Sequence, residues 1–342
     1  MSIAADVWRT SMRRLASLRA GRALRALTPA QVSQFDRDGF LAPLVGCSTE
    51  HAREVRDCIE RHEKAEQKAG MALFLNAHLQ HAWWHRLCTR CEILDVVEDL
   101  LGPNLLIWKS QLWIKEERSG SFVGWHQDAT YWGLDPPDSV NVWMALTDVT
   151  PSHGPLRLLA GSQGDALPTK DTYTVDNLLT RGQDIDWEEA GGLDTRRVHE
   201  AVLRPGEFSV HHLCTAHASQ PNEGPGRRIG FNITFVAPHV SPVRADGASA
   251  MLVRGIDPHG HFALETPPSG DAPTDSELRA VRQKNESVSR NLLAGANLEK
   301  FVEVSKQRAS RNLPAHVNDV GAGGEGAFGA AIGDRLKGKG VA

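Results

Sequence analysis

Residues 105–117 read LLIWKSQLWIKEE, and the pattern of the chain changes there. From this run onward come SVNVWMALTDV (139–149), PLRLLAG (155–161), VHEAVLRPGEFSVHHL (198–213) and RRIGFNITFVAP (227–238). Each is a short β-type segment, and Gly, Pro and Asp turns separate them. Many short strands without helices between them predict an antiparallel sandwich or barrel, not a parallel sheet.

Upstream of that run the chain reads as helix. In LTPAQVSQFDRDGFLAP (27–43), Thr28 can cap a helix whose first residue is Pro29, and Gln31 completes a capping box. Gly39 then ends the helix and Phe40–Leu41 begin an extended run. Residues 48–69 and 89–101 read as helices, the second closed by Gly102–Pro103. Downstream, 274–294 and 297–309 also read as helices. A polar interruption at 163–198 is long for a loop inside a compact domain, which points to a functional lid. The layout expected is an amphipathic helix over 1–27, one domain over 28–315 carrying the lid-like insertion 163–198, and a flexible Gly-rich tail over 316–342.

Composition sets limits. The 342 residues suit one large domain or two modest ones, and the net charge of −4 gives no reason to expect a nucleic-acid partner. No stretch of eighteen apolar residues exists, so no membrane span is expected. Cys47, Cys58, Cys88, Cys91 and Cys214 form no regular framework, which favours a reducing, cytoplasmic setting. CTRC (88–91) lacks the second pair a zinc site requires. The first 27 residues hold six arginines against one acid, a bias shared with organelle transit peptides. A packed amphipathic helix, with Trp8, Met12, Leu15 and Leu18 on one face, is the simpler reading.

The chemistry concentrates in GWHQDATYW (124–132) and VHHLCTAHASQPNEGPGRRIGF (210–231). In an extended segment His126 and Asp128 share a face. A third ligand must come from elsewhere, and His217 is the best candidate. Two histidines and a carboxylate on one face of an octahedron are the ligand set of non-haem Fe(II) oxygenases. Arg228 opens the strand RIGFNITF eleven residues after His217. A buried guanidinium requires a partner, and a dicarboxylic cosubstrate supplies one through a bidentate fork. Ser219 can add a hydroxyl to that carboxylate, while the pleat turns Arg227 outward.

The ordered set, an HxD pair, a distal His in HASQPN and an Arg followed by Ile-Gly, resembles the phytanoyl-CoA dioxygenase family. LTPAQVSQFDRDGF and WHQDATYWGL extend the resemblance over about residues 27 to 265. It implies a mainly β, double-stranded β-helix (a cupin-like jelly roll) with flanking helices. It also implies Fe(II), 2-oxoglutarate and O2, with His126, Asp128 and His217 as iron ligands and Arg228 as the cosubstrate clamp. Gln127, Ser219 and Trp143 fall where the family often touches the cosubstrate. The implied reaction releases succinate and CO2 and hydroxylates an unactivated C–H bond of a small organic molecule. Asp128 stands where related iron halogenases have a small residue, which favours hydroxylation or a related oxidation over chlorination. Departures lie at Ala218, in AGSQ (160–163) and at His153, and none removes a ligand.

Other readings stand beside this one. The same scaffold can serve a carrier-tethered or side-chain substrate, or survive as a non-catalytic binding protein. His211 and His212 are nearer to His217, but only one can face inward, in a supporting role. HLQHAWWH (78–85) places His78, His81 and His85 on one face if it is a single helix, without the glutamate of a zinc-protease motif. DPHGHF (257–262) reads as a turn. Trp108 and Trp113, five apart in a strand, are expected on opposite faces. Tyr131 and Trp132 are placed to line a substrate pocket, where an aromatic wall suits a cationic amine or an apolar ring.

Overall fold

The computed structural model describes residues 3–68, 70–244 and 248–311; the Gly-rich tail predicted at the C-terminus lies outside them. The helices are α1 (Ile3–Arg19), α2 (Pro29–Asp38), α3 (Thr49–Glu66), α4 (Gly70–Leu73), α5 (Ala82–Cys88), α6 (Cys91–Leu101), α7 (Ala129–Trp132), α8 (Asp275–Leu292) and α9 (Leu298–Ser310). The strands are β1 (Phe40–Val45), β2 (Leu105–Lys115), β3 (Val123–His126), β4 (Leu134–Asp135), β5 (Ser139–Ala145), β6 (Leu156–Leu159), β7 (Thr169–Asp171) and β8 (Gln183–Ile185). They continue as β9 (Val198–Ala201), β10 (Glu207–His212), β11 (His217–Ser219), β12 (Arg228–Val236), β13 (Ser241–Pro242), β14 (Ser249–Arg254) and β15 (Ala263–Leu264).

Local chemistry accounts for α2. Thr28 accepts from the Gln31 amide, Gln31 returns a bond to the Thr28 amide, and Gly39 takes the left-handed conformation at φ 85°. Helix α1 docks against the domain through Trp8 and Leu15 and through ion pairs from Arg14 to Asp138 (2.8 Å) and Arg19 to Asp36 (2.6 Å), and Arg22 just after it pairs with Glu98 (2.7 Å).

Two sheets face each other. The larger runs β1-β10-β5-β12-β2-β14-β15 and the smaller β3-β11-β6-β9. This is the jelly roll that the strand pattern and the resemblance imply. Alternation along β12 sorts its residues between two environments. Ile229, Phe231, Ile233 and Phe235 enter the main core with Trp84, Leu87 and Val97 of the helical layer. Arg228 and Asn232 instead line the cavity between the sheets. The inner face is therefore laid out in rows. His211, Asn141, Thr234 and Lys109 form one; Ser209, Trp143, Asn232 and Gln111 the next; Arg228 and Lys115 sit opposite each other at the far end.

Strand β2 departs from simple alternation. Thr234 pairs with Lys109 but Phe235 pairs with Ile107, so Trp108 is an extra residue in the ladder. Such a bulge sends two consecutive side chains to one face. Trp108 packs on Trp132, with ring centroids 5.1 Å apart, while Lys109 and Trp113 line the cavity. The expectation that Trp108 and Trp113 point to opposite faces is thus corrected: the bulge between them shifts the alternation by one.

The insertion is folded. It contains the β7–β8 hairpin, and Arg181 ties it to Asp171 and to the carbonyls of Leu292 and Ala294 at the end of α8. HLQHAWWH is not one helix: a single 3-10 turn spans Ala77–Leu79, His81 is extended, and α5 starts at Ala82. His78 bonds Ser110 instead of sharing a face with His81 and His85.

Candidate active site

Strand β3 ends at His126 and β11 begins at His217, and the two residues are direct cross-strand partners. Asp128 reaches the same point by another route than the pleat. The strand has stopped, Asp128 is helical (φ −59°, ψ −36°), and it immediately precedes α7. The Asp128 carboxylate lies 3.3 Å from His126 Nε2 and 3.8 Å from His217 Nε2. One ligand atom from each residue falls within 4.8 Å of the other two, and this is the one such group of three or more among the described residues.

The orientation of the imidazoles is fixed from behind. His126 Nδ1 bonds the Gly124 carbonyl at 2.9 Å and His217 Nδ1 bonds the Thr215 carbonyl at 2.9 Å. A carbonyl only accepts, so each Nδ1 carries a hydrogen and each Nε2 is the nitrogen turned towards Asp128. Burial pushes His217 down to about 4, and neighbouring His126 pushes the same way, so His217 is neutral at physiological pH. Burial raises Asp128, but the imidazoles of His126 and His217 beside it outweigh that and bring the carboxyl down to about 2. Asn141 Nδ2 donates to Asp128 Oδ2 at 2.6 Å. Two imidazoles and one carboxylate, buried and convergent, fit a divalent ion of the first transition row.

Arg228 sits at the other end, 2% exposed. Its Nη1 makes one long contact, 3.4 Å to the Gly154 carbonyl, and its Nε has no partner. The guanidinium lies over the Trp143 ring, 5.0 Å from the centroid. A buried guanidinium so poorly partnered is prepared for an anion. Ser219 lines the cavity beside it, and its hydroxyl accepts from Lys115 Nζ at 2.6 Å, so its own hydrogen remains to donate. Arg227 turns outward as the pleat requires and pairs with Glu63 (2.8 Å) and Glu116 (3.0 Å).

Most of the residues singled out in the sequence meet here. His126, Asp128, His217, Arg228, Ser219, Trp143, Tyr131 and Trp132 all line a cavity of ≈ 790 Å³, counted to its open mouth. Gln127 does not join them. Lying between two inward residues, it points away, and its amide bonds the carbonyls of Asp165 (2.8 Å) and Cys214 (2.7 Å) and the Leu167 amide (2.9 Å). It ties down the start of the insertion instead of touching a cosubstrate. His211 faces inward beside His217, with centroids 4.6 Å apart, while His212 turns to the opposite side towards Ser11.

Several wall residues escaped the sequence reading. Lys109, Gln111 and Asn232 line the cavity from β2 and β12, and Leu178, Leu179 and Thr180 do so from the insertion. In β2 a signal was present: Lys109, Gln111 and Lys115 are polar residues two and four apart in a strand whose other residues, Ser110 excepted, are apolar.

Residues 25–230 match the family model described as phytanoyl-CoA dioxygenase. L-proline trans-4-hydroxylase of Streptomyces griseoviridis is 29% identical over 230 residues, which cover 59% of this chain and 84% of that one. Among solved structures, the non-heme monooxygenase ThoJ superposes with a TM-score of 0.63 at 32% identity, over 81% of this chain and 99% of its own. CytC3, solved with Fe(II) and alpha-ketoglutarate, shares the fold with a TM-score of 0.54 at 24% identity, over 74% of this chain and 98% of its own.

Proposed function

The chain belongs to the phytanoyl-CoA dioxygenase family and is an Fe(II)- and 2-oxoglutarate-dependent dioxygenase, and from that premise we propose that it hydroxylates an unactivated C–H bond of a small organic molecule. The observation that carries the reading is the convergence of His126, Asp128 and His217 within 4.8 Å, with the poorly partnered Arg228 beyond them in the same cavity. His126 and His217 offer Nε2 and Asp128 one carboxylate oxygen to Fe(II). Arg228 and the Ser219 hydroxyl take the far carboxylate of 2-oxoglutarate, with Trp143 as the floor beneath.

The bound iron and cosubstrate supply the oxidation: 2-oxoglutarate and O2 become succinate and CO2, and the second oxygen atom enters the C–H bond. The chain supplies placement. Lys115 fixes Ser219, Asn141 fixes Asp128, and the backbone carbonyls of Gly124 and Thr215 fix the two rings. Tyr131 and Trp132 wall the substrate end, and Leu178 and Leu179 of the insertion cover it from water. An ionised Asp128 in the ligand set favours hydroxylation over halide transfer.

The test is succinate release from 2-oxoglutarate with Fe(II), O2 and ascorbate, across a panel of small organic molecules. Turnover with one of them, a product heavier by one oxygen, and loss of iron in His126→Ala support the reading. No iron uptake and no succinate under any condition would falsify it and favour a non-catalytic binding protein.

A further inference from the structure

Lysine is almost never fully buried without a partner. Three lysines are buried among the described residues. Lys115 donates to Ser219 and Gln220, and Lys284 pairs with Glu265. Lys109 is 4% exposed, lines the cavity, and makes no hydrogen bond or ion pair within the described residues. Burial brings it down to about 8, partly opposed by the charge of Asp128, so it still carries a proton at neutral pH.

Its position separates it from the cosubstrate. Lys109 is opposite Thr234, and Arg228 lies six residues further along β12. At about 3.3 Å per residue, their backbones are about 20 Å apart. Lys109, Thr234 and Asn141 share a row, and Asn141 holds Asp128, so this row is level with the acid of the metal cluster. Arg228 stands beyond the cluster on the other side, with Lys115 and Ser219. A five-carbon diacid held by Arg228 and chelating at the cluster does not extend to Lys109. The ammonium lies 5.5 Å from the Trp132 ring centroid, so the aromatic face expected to attract a cationic substrate already holds a cation of the protein.

We propose that Lys109 is the anchor for an anionic group of the primary substrate, and that the substrate is a small molecule carrying a carboxylate. This rests on the reading that Arg228 and the metal cluster take 2-oxoglutarate. An ion pair to a buried ammonium replaces a missing partner, and removing it leaves the substrate anion buried and unpaired.

The experiment is calorimetry under anaerobic conditions on protein loaded with Fe(II) and 2-oxoglutarate. A panel of small carboxylic acids is titrated, each beside its own primary amide. Wild-type protein is expected to hold at least one acid about ten- to a hundredfold tighter than its amide. Lys109→Met and Lys109→Gln are expected to erase that preference, Lys109→Arg to restore part of it, and all three to leave 2-oxoglutarate affinity within about twofold. Removing a buried cation lowers the cost of burial, so Lys109→Met keeps the fold, which circular dichroism verifies. The inference is overturned if no acid binds more tightly than its amide, or if the preference survives in Lys109→Met. It is also overturned if the variants weaken 2-oxoglutarate tenfold and leave the acids untouched, since Lys109 then serves the cosubstrate. Wild-type protein that fails to take up Fe(II) and 2-oxoglutarate sinks the functional reading itself, and this inference with it.

Discussion

Gly230 lies on the cavity side of β12, between Arg228 and Asn232, with Trp143 on the adjacent strand. A Cβ at Gly230 would lie 1.8 Å from Trp143 Cζ2 and 2.3 Å from Cε2. Non-bonded carbons settle at about 3.5–4.0 Å, so the indole of Gly230→Ala must retreat by roughly 2 Å. The ring is 4% exposed and carries the Arg228 guanidinium above it, so it cannot move without disturbing that guanidinium. Overpacking of this kind costs about 1–3 kcal/mol, a fall of several degrees in Tm. A displacement of about 1 Å in a positioning group can cost a hundredfold, so 2-oxoglutarate affinity should fall about ten- to a hundredfold. Calorimetry of 2-oxoglutarate and thermal unfolding measure the two effects. The discriminating arm places Gly230→Ala in a Trp143→Leu background, where no ring remains to be struck and the glycine change should cost little. Wild-type affinity in Gly230→Ala, or equal damage in both backgrounds, would refute the argument that the glycine exists to let Trp143 lie under Arg228.

Two other outcomes follow from the same geometry. Asn141→Leu removes the 2.6 Å donor to Asp128 and the acceptor for Thr234 Oγ1, and it should weaken Fe(II) or Mn(II) binding about ten- to a hundredfold with the fold retained; unchanged metal affinity would show that Asp128 needs no support. In the metal-free protein, His78, His212 and His217 are each pushed by burial from 6.5 to about 4. The unfolded chain therefore binds more protons than the native one between those values, and stability is fully present above pH 6.5 and lost as pH falls towards 4. Each histidine contributes up to a few kcal/mol to that loss. Thermal unfolding across this range should show a level midpoint from about pH 6.5 to 8 and a steady fall below it, and His212→Asn should flatten the fall; a midpoint indifferent to acid would contradict the burial of these rings.

The parts legible in the sequence are those fixed by local chemistry or by parity. The cap from Thr28 to Gly39 is written within twelve residues, and the structure reproduces it bond for bond. Arg227 and Arg228 divide between solvent and cavity because neighbours on a strand must, and the same rule sorts His211 from His212. Parity failed where the backbone stops being a strand. Asp128 converges with His126 through a strand-to-helix turn, and Gln127 between them is directed to the insertion's backbone. HLQHAWWH has helical spacing, but the extended backbone at His81 breaks it into two pieces. Lys109 was unreadable for a different reason: whether a buried lysine is paired depends on what faces it across the cavity, and no local pattern records that. The contribution of Leu178 and Leu179 likewise depends on contacts with strand β3, more than fifty residues away in sequence.

The extra residue at Trp108 gives the two halves of β2 separate phases. Upstream changes in strand length can be absorbed at that irregularity, while Gln111, Trp113 and Lys115 keep facing inward beside Arg228. The Arg228 end of the wall is thereby insulated, and Lys109, next to the extra residue, is the position whose aim depends on it. A change in the length of β2 would therefore re-aim one end of the chamber and leave the other as it is.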